Sequence, residues 1–328
     1  MTRSGRPQPP GGNRSVRGYV RQSTFTAPGT HAGLFDDLPS DVRDLAKVVQ
    51  GLVVHYRNPE LRSARLPKRR LREVNLRYVD LMISRLLEMD GRPLTTPRPI
   101  ENRIIGCCRD FATLFTSMAR HNGIPARIRV GFANYFAFAP ARYWIDHTIA
   151  EFWDPQRESW RLIDPEQSDA LVRENHLDFD PSDVPWGRFI VGGRAWEMCR
   201  REEADADDFC VEPEKAPQGL WFVRTRLLLD LAALNLEELL LWDSWSTSAP
   251  DAKLSTSANV ELDRMAKASA CVPPRLAPLT RFYTDDRWRH PAEVFCFSPV
   301  CPPYVDKLRS RRLANTTFGK ESGSDAIR

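Results

Sequence analysis

Two adjacent cysteines, Cys107 and Cys108, follow a glycine at the head of a helix-like run in IIGCCRDFATL, residues 104–114. A thiolate is the reactive form of cysteine, and a helix N-terminus or a nearby imidazolium makes it accessible at neutral pH. A helix beginning here offers both unpaired backbone N–H groups and the positive end of the helix dipole. Gly106 frees the backbone to turn sharply and lets another segment approach. A base for thiol chemistry must come from elsewhere in the sequence. His147 is a candidate for it, and Asp164 for a carboxylate that orients the imidazole. Each residue taken singly also has a plain structural reading. The cysteines can be small core residues, the histidine a polar strand end, and Asp164 before Pro165 a turn starter. On these grounds either cysteine qualifies as the nucleophile.

Positioning these groups requires one helix and several strands. From Cys107 the pattern is helical, with Phe111, Leu114, Phe115, Met118 and Ala119 on the buried face, and it stops at Asn122-Gly123. HNGIPARIRVG then alternates, with Ala126, Ile128 and Val130 set against Arg127 and Arg129. Two further strands are expected in HTIAEFW (147–153) and SWRLID (159–164), separated by the turn DPQRE. If these two are antiparallel neighbours, His147 opens one and Asp164 closes the next, and both lie at the same end of the pair. One helix followed by three strands is an α+β arrangement with an antiparallel sheet. Upstream, residues 38–57 read as a helix capped by Ser40, and residues 70–91 as a second helix ending at Gly91. Pro93, Pro97 and Pro99 force an extended approach to the cysteines. Downstream, residues 224–245 form a strong helical pattern expected to break near Asn235.

The chain has 328 residues, 42% hydrophobic and 27% charged, with a net charge of +4. That balance is an ordinary globular one and does not call for a nucleic-acid partner. Residues 1–30 hold Arg3, Arg6, Arg14, Arg17 and Arg21 and no acid, which predicts a disordered basic tail without the apolar run of a secretory signal. The expected division is then a main domain over 31–245 with its core at 98–170, a linker at 246–258, a C-terminal extension over 259–318 and a disordered tail at 319–328. The most apolar window is interrupted by Asp230, Asn235, Glu237 and Glu238, so no membrane span and no membrane partner are expected. Seven cysteines without a repeated spacing point to free thiols in a reducing, cytoplasmic compartment. Cys296, Cys301 and His290 miss zinc spacing, and DADD at 205–208 is not a calcium loop, so neither metal nor cofactor is expected.

The segments GCCRDFA, GIPARIRVGF, DHTIAEFW and WRLIDPE, in that order, resemble the core of the transglutaminase-like superfamily, closely over about 98–170. Flanks such as FDDLPSDVRDLAKVVQGLVVH look like a bacterial group within it. The resemblance implies a papain-like α+β fold, with a cysteine-bearing helix packed on an antiparallel sheet and helices on both sides. It puts the nucleophile on Cys108, the base on His147 and the orienting acid on Asp164, with Cys107 at a variable position. It also implies an acyl-enzyme formed from a peptide or small-molecule amide or a thioester, then hydrolysed or passed to an amine. A catalytically inactive binding module is the alternative of another class. Relatives usually carry Trp directly after the histidine, where this chain has Thr148. Trp144, Tyr135 and Cys107 are the further residues expected to line the substrate cleft.

Overall fold

The computed structural model describes residues 14–64 and 66–309. Its main helices are α1 (Val42–Gln50), α2 (Val79–Met89), α3 (Cys108–His121), α4 (Gly192–Arg200), α5 (Leu220–Leu234) and α6 (Thr256–Ala270). Its strands are β1 (Val53–His55), β2 (Ile104–Gly106), β3 (Ala126–Ala133), β4 (Trp144–Asp154), β5 (Ser159–Ile163), β6 (Phe189–Val191), β7 (Phe209–Glu212), β8 (Lys215–Gln218), β9 (Asp243–Ser244), β10 (Glu293–Cys296) and β11 (Tyr304–Lys307).

The central sheet runs β6-β3-β4-β7-β8, with β5 also paired to β4. Strands β3 and β4 are antiparallel with Gly131 opposite His147, and β4 and β5 are antiparallel with Ala150 opposite Ile163. Gly131 is required because β6 lies so close that a Cβ there would meet the Ile190 carbonyl oxygen at 2.0 Å. Helix α3 is buried over residues 108–120. Its Phe111, Leu114, Phe115 and Met118 pack with Leu45 and Val49 of α1, Met82 and Leu86 of α2, and Phe152 and Ile163 of the sheet. A second core joins Ile128, Val130 and Phe132 of β3 to Leu227 and Leu231 of α5 and Leu262 and Met265 of α6. The α+β core expected from the sequence is thus present, with the cysteine-bearing helix on a largely antiparallel sheet.

Several boundaries differ from expectation. Helix α1 ends at Gln50, where Gly51 and a switch to β1 follow, and its cap is Asp41 rather than Ser40, accepting from the Arg43 amide at 2.8 Å. The second helix is split into a 3-10 segment, Lys68–Asn75, and α2. Residues 14–30 are packed rather than tail-like, since Val16, Tyr19 and Phe25 are buried. A few well-spaced apolar anchors outweigh the basic composition there. Residues 246–258 are not a free linker. Ser246–Ser248 is a 3-10 turn, and α6 begins inside the segment, capped by Ser255, whose hydroxyl accepts from the Ala258 amide at 3.2 Å. The extension from 259 to 309 supplies core residues Leu262, Met265 and Leu279 instead of standing apart. The expectations for 1–13 and 310–328 lie outside the described residues. No helix among the described residues is long and apolar enough to cross a membrane.

Candidate active site

The site forms where β2 runs into α3. Cys107 is extended and is the residue before the helix; its amide donates to Asp110 Oδ2 at 2.8 Å, which fixes the first turn. A Cβ on Gly106 would sit 2.8 Å from that carboxylate and 3.0 Å from the Val53 side chain, so only glycine fits. Arg109 is buried, pairs with Asp110 at 3.1 Å and donates to the Arg77 carbonyl at 2.7 Å. These two residues serve the helix start.

Cys108 is the first residue of α3, and its Sγ lies within 4.8 Å of a ring nitrogen of His147. His147 falls inside β4 rather than opening it, because the strand starts three residues earlier at Trp144. Its Nε2 bonds Asp164 Oδ2 at 2.7 Å, which leaves Nδ1 for the thiol side. Asp164 follows directly after β5 and is held from three sides. Its Oδ2 also accepts from the Tyr135 hydroxyl at 2.6 Å, its Oδ1 from the Glu166 amide at 3.1 Å, and its own amide donates to the Pro181 carbonyl at 2.8 Å. Continuing the β4–β5 register by one residue puts Asp164 opposite Ile149, diagonal to His147 on the same face.

The electrostatics match this geometry. The Cys108 thiol is pulled down to about 5, first by a hydrogen bond from the Cys107 thiol and then by the His147 imidazolium, against the opposing effect of burial. Cys107 is pushed well above the ordinary thiol value by the same hydrogen bond and by burial, so it stays protonated and acts as the donor. Burial would lower His147, but the charge and hydrogen bond of Asp164 raise it well above its usual value. These shifts favour a thiolate–imidazolium pair. His55, at the end of β1, is lowered to about 3 by burial, Arg57 and His147, and so stays neutral beside the charged pair.

Cys108, His147 and Asp164, expected from the sequence, are brought together. The three expected cleft residues are placed differently. Tyr135 is buried behind Asp164, where its hydroxyl steadies the carboxylate. The Cys107 thiol is buried and spent on Cys108. Trp144 lies three residues along β4 from His147, on the opposite face by strand alternation, and stacks on Phe209 with ring centroids 6.4 Å apart. Thr148 also faces away from His147; it is fully buried with its Oγ1 unpaired. The wall beside the imidazole is instead Phe136, edge-on at 5.1 Å between centroids, followed outward by the exposed Phe138. Glu166 was missed as a site residue: a carboxylate oxygen lies within 4.8 Å of both Cys108 Sγ and His147. Its signal was an acid two residues past Asp164 in the quoted IDPE run. Cys108, His147 and Glu166 are also the one set among the described residues whose donor types and spacing could hold a metal ion.

Residues 89–165 match the transglutaminase-like superfamily. No curated protein matches the chain. Among solved structures, a candidate cysteine protease from Cytophaga hutchinsonii is 15% identical, with a TM-score of 0.32 over 47% of this chain and 43% of that one. The chain thus spans less than half of that protein. The superfamily match takes in Cys108, His147 and Asp164 together with the helix start and strands that position them, and over this segment the chain is similar to the transglutaminase-like superfamily.

Proposed function

We propose that the protein is a cysteine enzyme that opens an amide or thioester through an acyl-enzyme, with hydrolysis as its outcome. Cys108 thiolate attacks the carbonyl carbon. As the carbon–nitrogen bond of an amide breaks, His147 gives its proton to the leaving amine. Water then attacks the thioester, His147 takes a proton from it, and the carbon–sulfur bond returns its electron pair to Cys108. The Cys108 backbone N–H, at the open end of α3, is the donor offered to the oxyanion. Transfer of the acyl group to an amine uses the same intermediate, with an amine in place of water, and is the second reading. The substrate is accordingly a peptide or small-molecule amide, and the free state of all seven cysteines supports a reducing, cytoplasmic setting.

The observation that carries this reading is the chain of contacts from the Cys108 thiol to His147, and from His147 Nε2 to Asp164 at 2.7 Å. Its test is alkylation by iodoacetamide from pH 5 to 9, mapped by peptide mass spectrometry. Cys108 should react with a midpoint near pH 5, and His147→Ala should move that midpoint up toward the free-thiol range of about 8.5. If Cys107 and Cys108 react alike and only at alkaline pH, the thiolate–imidazolium pair does not exist and a binding module becomes the better reading.

A further inference from the structure

Glu166 is 9% exposed, and its carboxyl makes no hydrogen bond and no ion pair among the described residues. That sets it apart. Every other buried carboxylate in the described chain has a cationic partner. Glu151 and Asp230 take Arg129, Glu238 takes Arg120, Asp243 takes Arg77, Glu73 takes Arg70, Asp110 takes Arg109, and Asp164 takes His147. An unpaired buried carboxyl is costly, and this fold has arginines in abundance with which to avoid it. Its position gives the omission a meaning. One carboxylate oxygen lies within 4.8 Å of the Cys108 sulfur and of the His147 ring. A substrate atom in reach of attack sits about 3–3.5 Å from the sulfur, so a group next to the reacting carbonyl is within hydrogen-bond reach of Glu166. The backbone of Glu166 is fixed by the bond from its amide to Asp164, so the side chain is held at the site rather than drifting past it.

We infer that Glu166 selects the substrate by charge: the ion-pair partner missing from the protein is a primary ammonium or guanidinium carried by the substrate beside its reacting carbonyl. This rests on the acyl-enzyme reading above and names the substrate class for it. The groups facing Glu166 are His147, Cys108, Asp164 and Asp110. Burial, reinforced by the three anionic ones and opposed by His147, holds the empty carboxyl protonated. An arriving cation takes that proton's place.

Methanethiosulfonates of different charge, with modification of Cys108 followed by mass spectrometry, test this without a known substrate. The rate ratio of the aminoethyl (cationic) to the sulfonatoethyl (anionic) reagent should fall at least about tenfold in Glu166→Gln, as expected when a buried charge pair loses one member, and should largely survive in Glu166→Asp. The neutral methyl reagent reports the thiolate itself. If it reacts at low pH in the wild type but the charged reagents keep the same ratio in Glu166→Gln, charge selection is overturned while the nucleophile stands. Should the neutral reagent react only at alkaline pH, the acyl-enzyme reading fails and this inference with it. Two further arms locate the cation. Faster turnover of the 4-nitrophenyl ester of 3-aminopropanoate than of propanoate puts it on the acyl donor. Diversion of the propanoyl-enzyme by 1,2-diaminoethane puts it on an acceptor amine. Either preference should be lost in Glu166→Gln, and absence of both in the wild type overturns the proposal.

Discussion

Strand β4 carries two buried charged regions that behave in opposite ways. At one end Glu151 lies between Arg127, at 2.6 Å, and Arg129, at 3.2 Å, and Arg129 continues to Asp230 of α5 at 3.0 Å. The Arg127 guanidinium also covers the Trp160 ring, 3.8 Å from its centroid. Four residues away, His147 meets Asp164, Cys108 and Glu166. The first region is neutralised within the protein, and its charges fix how β3, β4 and α5 sit together. In the second, a thiolate is kept beside an imidazolium and one carboxyl is left without a partner. The paired arginines and acids serve the architecture, and the one buried carboxyl without a cationic partner stands beside the Cys108 sulfur.

Four substitutions break or sharpen that contrast. Cys108→Ala should remove acyl-enzyme formation altogether, a fall of at least about 10³-fold in turnover, while the unfolding transition in urea stays nearly in place. Asp230→Ala should do the reverse. It leaves Arg129 short of a partner in the interior and should cost about 3–5 kcal/mol in the same urea measurement, with the alkylation midpoint of Cys108 unmoved. If that midpoint shifts as well, the two regions are one network and the contrast fails. Cys107→Ala removes the donor that holds the thiolate. Reactive thiolate is present above the Cys108 pKa of about 5 and lost as pH falls through it, so this variant should need a higher pH for half-maximal alkylation. Tyr135→Phe keeps the ring and deletes one bond to Asp164, and should lower turnover by about 10- to 150-fold, the equivalent of the about 1.5–3 kcal/mol of a hydrogen bond to a charged group. A loss as large as that of Cys108→Ala would mean that the hydroxyl touches the substrate.

The residues that hold local pattern were legible in the sequence. The GCCRDFA start, the alternating strand from Ala126 and the turn before Ser159 each follow from short-range rules, and together they place His147 and Asp164 at one end of a strand pair. Long-range pairing was not legible. Nothing within a window of ten residues shows that the Tyr135 hydroxyl will reach Asp164, that β7 will pair in parallel with Trp144, or that Arg129 will find Asp230. Composition misled at residues 14–30, because an arginine-rich average hides three apolar side chains at the right spacing. Glu166 stood inside a quoted motif without a role, since its lack of a partner can be seen only once every other buried acid has been given one.

The N-terminal segment adds a mechanical consequence. The Tyr19 hydroxyl reaches the Leu234 carbonyl at the end of α5, and the Tyr19 carbonyl accepts from the Ala126 amide at the start of β3. Gln22 donates to the Ser117 carbonyl within α3, the Ser117 hydroxyl returns to the Thr26 carbonyl, and the Ser23 hydroxyl donates to Glu238. Residues 19–26 therefore work as a tie between the helix that carries Cys108 and the helix that braces the far side of the sheet. A pulling force applied at the N-terminus would load these bonds one after another, together with the buried side chains of Val16, Tyr19 and Phe25. The seam between α3 and α5 would begin to part only when the last of them had given way.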